Sequence, residues 1–366
     1  MAAIQALTAF GENGFADEAA AEIAKVLARR NPQIVQTACA ALGSLGKAAV
    51  PSLMVALQST NADVRTAAAN ALGRVGQDAG QALPALIEVA SHQSIAAARR
   101  AATGNAMLQA QARARAKRAP ATNNTSDQAA ANALGRIGIG DDDQLREIME
   151  LFEDSTPAVR SALVAGFYGN RLKRGDIQFL IAASDDEDES LRAQAAAALV
   201  CGAADDENVK YVIEQMIHND TNNVRDQIVN TLIDSPQLTG AAPLLVACLG
   251  SRDIQTRFAR QMPALIQAIG REGPAAVAAV DALIELIDVD AMEGRADMIA
   301  AAIDALGNIG PPASKAIAAL TAWTDAKDQQ FGNGDRLSRH AERALRKIAQ
   351  GGRLRERVTE KKAERE

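Results

Sequence analysis

The side chains best suited to metal binding or nucleophilic catalysis are few and widely separated in this 366-residue chain. No histidine lies at metal-ligand spacing from another histidine or from a cysteine. The candidates are Cys39, Cys201, Cys248, His92, His218 and His340. Neither a Gly-x-Ser-x-Gly nucleophile elbow nor a recognisable cysteine-nucleophile signature occurs. We therefore expect no catalytic residues, no metal site and no cofactor.

Two segments resemble ligand-binding loops superficially. Residues 135–140, Gly-Arg-Ile-Gly-Ile-Gly, follow a predicted helix in the wrong order for a phosphate-binding fingerprint, which indicates a helix cap and turn. Asp288 and Asp290 are spaced like calcium ligands, but Gly294 comes one place late and Ile299 takes the twelfth position. The three cysteines stand among apolar residues, as small buried side chains do. None of these features predicts a bound ligand.

One region, the basic cluster, concentrates positive charge in a stretch that has no acidic residue between Glu88 and Asp127. Its members are Arg99, Arg100, Arg113, Arg115, Lys117 and Arg118. Helical spacing predicts a first helix with a basic outer face here, followed by a loop, together an irregular unit at about 99–126. The cluster could bind an anionic partner such as nucleic acid, or it could be an ordinary solvated helix face.

The overall composition favours helices. Alanine accounts for 80 residues, whereas aromatic residues make up 3 % and one tryptophan, Trp323, is present. Alanine is the best helix former and is depleted from strands, and so few aromatic side chains cannot fill one large round core. The net charge of −6 gives no overall attraction to nucleic acid or anionic lipid. No apolar run is as long as a membrane span and no signal peptide is visible, so we expect a cytoplasmic protein.

A short motif recurs along the chain. Ala71-Leu72-Gly73-Arg74-Val75-Gly76 returns at 41–46, 133–138 and 305–310. An apolar stripe at helical spacing precedes it and predicts a second helix, and a shorter first helix with larger apolar residues comes before that. Aligning the third position of the motif gives a period of about 31 residues, which indicates internal repeats. The aligned positions are Gly11, Gly43, Gly73, Gly104, Gly135, Tyr168, Val200, Ile233, Pro263, Gly307 and Arg346.

The helix pair, its Val-Arg-x-Ala opening and its Ala-Leu-Gly-x-Ile/Val-Gly ending resemble HEAT repeats, in particular the short bacterial kind found in phycobilin lyases. The resemblance implies an all-α fold, a right-handed α-solenoid of about ten HEAT-like helix pairs over residues 1–349, with second helices on the concave face. It also implies a ladder of contacts between neighbouring units, to which an aspartate six residues before each repeat arginine contributes. Asp154 and Asp186 fit this pattern, whereas Arg65 follows Ser59 and Arg225 follows Asn219.

The two ends differ from the repeats. Residues 350–366 form a mixed-charge tail, which we expect to be solvated. Helix 2–10 matches a second helix without a first helix before it and carries Ile4, Leu7 and Phe10. Three interpretations account for the missing first helix. The chain was cut from a longer one, a partner or second copy covers the helix, or its alanine-rich face tolerates exposure. Self-association through this helix is therefore one of the open interpretations.

The resemblance and the missing catalytic motifs favour a noncatalytic protein-protein interaction scaffold that binds a partner protein or extended peptide along its concave face. The predicted concave positions are Thr66, Asn70, Gln128, Asn132, Asp226, Asn230, Thr256, Arg260, Asp304, Arg339 and Arg343. Two alternatives stay open: a nucleic-acid-binding HEAT-like protein, as the HEAT-like DNA glycosylases imply, and a chromophore-lyase-like protein. The iron-dependent hydroxylase branch uses His-Glu pairs, and this chain has no His-Glu dipeptide.

Overall fold

The computed structural model describes residues 2–28, 31–91, 125–235, 238–287, 296–325 and 336–349. The chain divides into two compact units, residues 1–202 and 203–366, and each is described by itself. Every regular element in these described residues is helical. The predicted fold class is confirmed: the protein is an all-α solenoid of helix pairs.

The first unit is a series of helix pairs in which each second helix packs on the next. Helix α2 pairs with α3, α4 with α5 and α6 with α7, and the second helices α3, α5, α7 and α9 contact one another in that order. The helices are α1 (Ala2–Phe10), α2 (Ala16–Ala24), α3 (Pro32–Ser44), α4 (Val50–Leu57), α5 (Ala62–Val75), α6 (Leu83–Ala90), α7 (Thr125–Ile137), α8 (Asp142–Asp154), α9 (Pro157–Phe167), α10 (Arg174–Ala183) and α11 (Glu189–Ala203).

The second unit continues the same alternation. Its helices are α12 (Glu207–Asn219), α13 (Asn222–Asp234), α14 (Ala242–Gly250), α15 (Arg252–Arg257), α16 (Met262–Arg271), α17 (Val280–Leu286), α18 (Ala296–Ile309), α19 (Ile317–Asp325) and α20 (336–349). Helix α16 packs on α18 and α17 pairs with α18. Trp323 on α19 is 2 % exposed and its Nε1 donates to the carbonyl of Ile287 at 2.7 Å, so the tryptophan is a core residue.

Helix starts follow capping chemistry that the sequence supplies. The side chain of Asn61 accepts from the backbone N–H of Asp63 (2.9 Å) ahead of α5, and Asp141 does the same for Gln144 (2.8 Å) ahead of α8. Pro51 lies in the first turn of α4, where its missing N–H removes no intrahelical bond. Local sequence therefore decides where these helices begin.

The two glycines of the recurring motif have different functions. The first lies inside a second helix where the next second helix comes close: a Cβ atom on Gly73 would be 3.2 Å from the Cα of Ala133. The second ends the helix with positive φ, 68° at Gly76 and 80° at Gly138, a conformation that other residues avoid. The motif thus allows both a close contact between second helices and a tight turn of the chain after the helix.

Position Gly104 of the alignment lies outside the described residues, and the contact between α5 and α7 shows how the helices on either side of it pack. Because Gly73 of α5 meets Ala133 of α7, these are neighbouring second helices with no helix between them at this contact. Helix α6 packs on α7 as its first helix. Residues 92–124 lie outside the described residues and connect the two helices of this one pair. Helix α7 begins at Thr125, within the irregular unit predicted up to residue 126.

The alignment is wrong at Pro263. The structure places Gly270 in the motif position, because a Cβ atom there would be 3.0 Å from the Cα of Ala305, and Gly273 follows with a φ of 58°. The Gly-x-x-Gly spacing in the sequence could have revealed this copy. Pro263 lies instead in the first turn of α16, after residues 258–261 interrupt the second helix. Proline lacks an N–H and its ring clashes with the carbonyl four residues earlier, which explains the break.

Candidate protein-interaction surface

The eleven residues predicted for the concave face lie on second helices, except Arg260, which lies in the turn between α15 and α16. Thr66 and Asn70 are on α5, and Gln128 and Asn132 are on α7. None of the eleven is buried. We call these residues the second-helix surface; four belong to the first unit and seven to the second.

Part of this surface is engaged in contacts between neighbouring second helices. The Nδ2 of Asn132 donates to the carbonyl of Ala162 in α9 (3.2 Å), and the carboxylate of Asp304 lies 2.8 Å from Nδ1 of His340 in α20. Thr66 and Thr256 each donate to a carbonyl of their own helix. The exposed members of the second-helix surface are Asn70, Asn230, Thr256, Arg260, Arg339 and Arg343.

The repeated arginine near the start of second helices holds the preceding loop. Arg65 Nη1 donates to the carbonyl of Ser59 (2.9 Å), and Arg192 Nη1 donates to the carbonyl of Asp186 (3.0 Å). Arg225 makes the same kind of bond through Nε (2.9 Å). Carbonyl groups after a helix C-terminus carry partial negative charge, so a guanidinium stabilises them. This contact explains why arginine recurs even where the ladder aspartate is absent.

The predicted ladder is present where the arginine of one pair meets the aspartate of the next. Arg160 of α9 forms an ion pair with Asp186, and the two side chains are only 10 % and 9 % exposed. Asp186 also accepts from the backbone N–H of Asp188 (2.8 Å), and the guanidinium lies 5.6 Å from the ring centre of Phe152. The pair therefore links two repeats in a largely desolvated position.

Two crossed ion pairs tie the short helix α15 to the preceding second helix. Arg225 of α13 reaches Asp253 of α15 (2.9 Å), and Asp226 of α13 pairs with Arg257 of α15. Helix α16, beyond the break, packs on α18 and also on α13, where Arg271 donates to the carbonyl of Ile233 at 2.9 Å. Both halves of this second helix thus contact α13, whereas α16 also packs on α18, and a pocket lies between α15 and α18.

The pocket has a volume of about 750 Å³, within the range of sites that hold a small molecule or a large side chain. Its walls combine apolar side chains with a few charged ones. The lining residues are Val246, Leu249, Gly250, Gln255, Ala259, Arg260, Met262, Pro263, Ala282, Glu285, Leu286, Asp297 and Met298. Arg260, a member of the second-helix surface, therefore also lines this pocket. Sequence patterns did not reveal this pocket, since only Pro263 hints at a broken helix.

A buried carboxylate explains the glycine-rich segment 135–140. Asp176 accepts hydrogen bonds from the backbone N–H groups of Ile139 (2.6 Å) and Lys173 (2.8 Å). Burial raises the pKa of this carboxyl, although the two hydrogen bonds act to lower it. The N–H of Gly140 is taken by the side chain of Gln144 (2.8 Å). The interpretation of this segment as a cap and turn is confirmed, because its amides serve the protein itself.

A second carboxylate, Glu272, occupies the motif position that holds Val75 in α5. Its oxygens are shielded from solvent, and burial raises its pKa. The backbone N–H groups of Gly240, Ala241 and Ala242 and the charge of Lys210 oppose the rise without cancelling it. The fold therefore favours the protonated form of this side chain.

We expect Glu272→Gln to stabilise the second unit at pH 7 relative to the unmodified chain. A raised folded-state pKa means that the fold binds the proton more tightly than the unfolded chain does, so the wild-type protein loses stability as the pH rises through that pKa. Glutamine keeps the shape without the charge. Urea unfolding at pH values from 4 to 8 should show the advantage shrinking as the pH falls, whereas exposed Glu214→Gln should show none. A less stable variant at pH 7 would contradict this account.

The cysteines behave as buried apolar groups. Burial raises the pKa of Cys39 and of Cys248 to about 12, and Cys201 is half-buried. Within the described ranges no group of three or more histidine, cysteine or acidic side chains could hold a metal ion. In the same part of the chain, no helix is long and apolar enough to cross a membrane.

Several predicted features lie outside the described residues. They are the basic cluster with Arg99, Arg100, Arg113, Arg115, Lys117 and Arg118, the calcium-like segment 288–294, His92, and the tail 350–366. His218 is exposed near the end of α12. The six basic residues thus stay a sequence-based prediction.

Comparisons with known proteins find a family model that matches part of the chain and several similar solved structures. An engineered protein is similar at 18 % sequence identity, with 90 % of this chain and 98 % of that chain covered and a TM-score of 0.33. Human deoxyhypusine hydroxylase in complex with glycerol is similar at 19 % identity, with 93 % of this chain and 99 % of that chain covered and a TM-score of 0.31. The karyopherin Kap121p bound to the extreme C-terminus of the protein phosphatase Cdc14p is similar at 12 % identity, with 91 % of this chain and 46 % of that chain covered and a TM-score of 0.26. Comparison with curated proteins gives no match. The phycobilin-lyase subtype stays a prediction. A family model described as HEAT repeats matches residues 20–106.

Proposed function

We propose that the protein is a cytoplasmic, noncatalytic scaffold that binds a partner protein or extended peptide along the second-helix surface. The observation that carries this proposal is the direct packing of successive second helices, α5 on α7 and α16 on α18. Such packing sets exposed polar side chains side by side within each unit, which suits an extended ligand. In the first unit these side chains are neutral, and in the second they include Asp226, Arg260 and Arg339, so the preferred ligand charge changes along the surface.

The basic cluster supports a second candidate, binding of an anionic partner such as nucleic acid. Its support is a stretch of sequence in which six basic residues occur without an acid. Nucleic-acid binding of this kind depends on releasing counterions and weakens steeply with salt. No observation favours the chromophore-lyase alternative.

Self-association through α1 is a further possibility that the geometry supports. Phe10, at the end of α1, stacks on Phe15 with ring centres 4.5 Å apart. Phe10 is 45 % exposed and Phe15 is 47 % exposed. Light scattering that gives the mass of one chain over a wide range of concentrations would contradict it.

We expect a second-helix variant, Asn70→Arg with Asn230→Arg, to lose a partner that the unmodified chain retains. The purified full chain is immobilised, incubated with lysate of its source organism, and the retained protein is identified, purified and titrated. A control, Gln178→Arg with Gln215→Arg, adds the same charge to exposed positions of the first helices α10 and α12. Two bulky charges in an interface should weaken binding about tenfold or more, because each adds desolvation cost and a clash.

Equal loss in the two double variants would contradict binding along the second-helix surface. Binding of DNA or RNA at moderate salt, lost when Arg113, Arg115, Lys117 and Arg118 are changed to glutamate, would contradict a scaffold for proteins alone. Retention of a partner by the control and its loss from the second-helix variant would support the proposal.

A further inference from the structure

The pocket between α15 and α18 arises from the break in one second helix. Residues 258–261 and Pro263 interrupt the helix, the ion pairs to Asp253 and Arg257 hold its first half to α13, and its second half packs on both α13 and α18. The resulting space of about 750 Å³ lies beside Arg260, a member of the second-helix surface. A ligand bound along that surface in the second unit would therefore pass its opening.

The chemistry of the lining suits a bulky apolar side chain. Met262 and Met298 are flexible and polarizable, so they adapt to aromatic and branched groups. Ala259, Ala282 and Gly250 leave room between the two walls. No aromatic residue is among the described lining residues, so an aromatic group would have to come from the ligand.

The charged residues make the opening dipolar. Arg260 belongs to the wall from the broken helix, and Glu285, which is exposed, belongs to the wall from α17. Asp297 forms an exposed ion pair with Arg336 of α20 at 3.2 Å. Among the described lining residues, the guanidinium of Arg260 and the carboxylate of Glu285 thus match an acidic and a basic neighbour in a bound peptide.

From this complementarity we propose that the pocket receives the bulky apolar side chain of an extended peptide segment of the partner, with a basic neighbour paired to Glu285 and an acidic neighbour paired to Arg260. The inference rests on the proposed scaffold function and names the chemistry of its ligand. Burying one large side chain in a preformed pocket supplies the kind of anchor that dominates interface energies.

The test uses the full chain labelled with ¹³C at its methionine methyl groups and the capped tripeptide acetyl-Asp-Phe-Lys-amide. We expect saturable shifts of the Met262 and Met298 signals, identified with single Met→Leu variants. Acetyl-Asp-Ala-Lys-amide should bind about tenfold more weakly or worse, because most of the apolar burial is lost. Ala259→Trp fills the pocket and should abolish the shifts, whereas Ala165→Trp, at an exposed alanine of another second helix, should leave them unchanged.

A charge reversal provides a check that is independent of pocket filling. Glu285→Lys should weaken acetyl-Asp-Phe-Lys-amide and favour acetyl-Asp-Phe-Glu-amide, and a loss of both would overturn the proposed pairing. Absence of shifts at millimolar peptide, or equal binding of the phenylalanine and alanine peptides, would overturn the pocket proposal. If a captured partner is lost by the second-helix variant but binds Ala259→Trp normally, the pocket proposal is wrong and the scaffold proposal stands.

Discussion

Arg160→Ala is expected to destabilise the first unit by about 3 to 5 kcal/mol, since removing one partner of a buried ion pair leaves an uncompensated charge. Asp186, its partner, is 9 % exposed in its side chain, and one of its few remaining donors would be the backbone N–H of Asp188. Unfolding in urea would measure the loss, and hydrogen exchange in α9 and α10 would show whether it begins at this contact.

Two comparisons separate the ion pair from general effects of truncation. Lys315→Ala removes an ion pair to Asp281 whose side chains are 71 % and 74 % exposed, and it should cost about 1 kcal/mol or less. The double variant Arg160→Met with Asp186→Leu replaces both charges by apolar groups, and it should be more stable than Arg160→Ala. If Arg160→Ala costs no more than Lys315→Ala, the buried pair does not hold the two repeats together.

Gly166→Val is expected to destabilise the first unit by about 3 kcal/mol or more, or to prevent α7 and α9 from packing, because overpacking against backbone leaves no cheap relaxation. A Cβ atom on Gly166 would lie 2.3 Å from the carbonyl oxygen of Asn132 and 2.9 Å from the Cα of Gly135. Both obstacles are main-chain atoms, so the helices themselves would have to separate. Thermal unfolding followed by circular dichroism gives the measurement.

The matched control is Gly80→Ala in the same unit. A Cβ atom on Gly80 would meet nothing within 4 Å, and this glycine does not have a positive φ. Its replacement should leave stability unchanged or raise it by up to about 1 kcal/mol through the unfolded state. A Gly166→Val protein as stable as Gly80→Ala would show that α7 and α9 do not need this close approach.

Local pattern was sufficient for the helices and for part of their packing. The apolar stripe around Val64 and Leu72 has the helical period, and both residues are buried on α5. The motif glycines were recognisable because the helix end requires a residue with positive φ, and Gly76 and Gly138 adopt it. Cys39 and Cys248 are buried, as expected from their apolar neighbours in sequence, whereas Cys201 is half-buried.

Register between repeats was harder to predict. The contact between Gly73 and Ala133 joins residues about two periods of the motif apart, so the spacing of the motif did not predict it. Glu272 obscured the motif copy at Gly270, because it stands where the other copies carry an apolar residue. Sequence spacing measures distance along the chain, whereas packing depends on which helix faces come together.

The second-helix surface, too, was predicted in part from local sequence and in part revealed only by tertiary contacts. All eleven predicted surface positions are at least partly exposed, but only the structure shows that Asn132 and Asp304 also contact neighbouring helices and that Arg260 borders a pocket. By itself the sequence determined the helical class, the helix ends and the small residues that allow close packing, since these depend on local backbone and side-chain preferences. The tertiary structure decided the order of stacking, the partners of the buried charges and the pocket beside the broken helix, because each requires residues distant in the chain to meet.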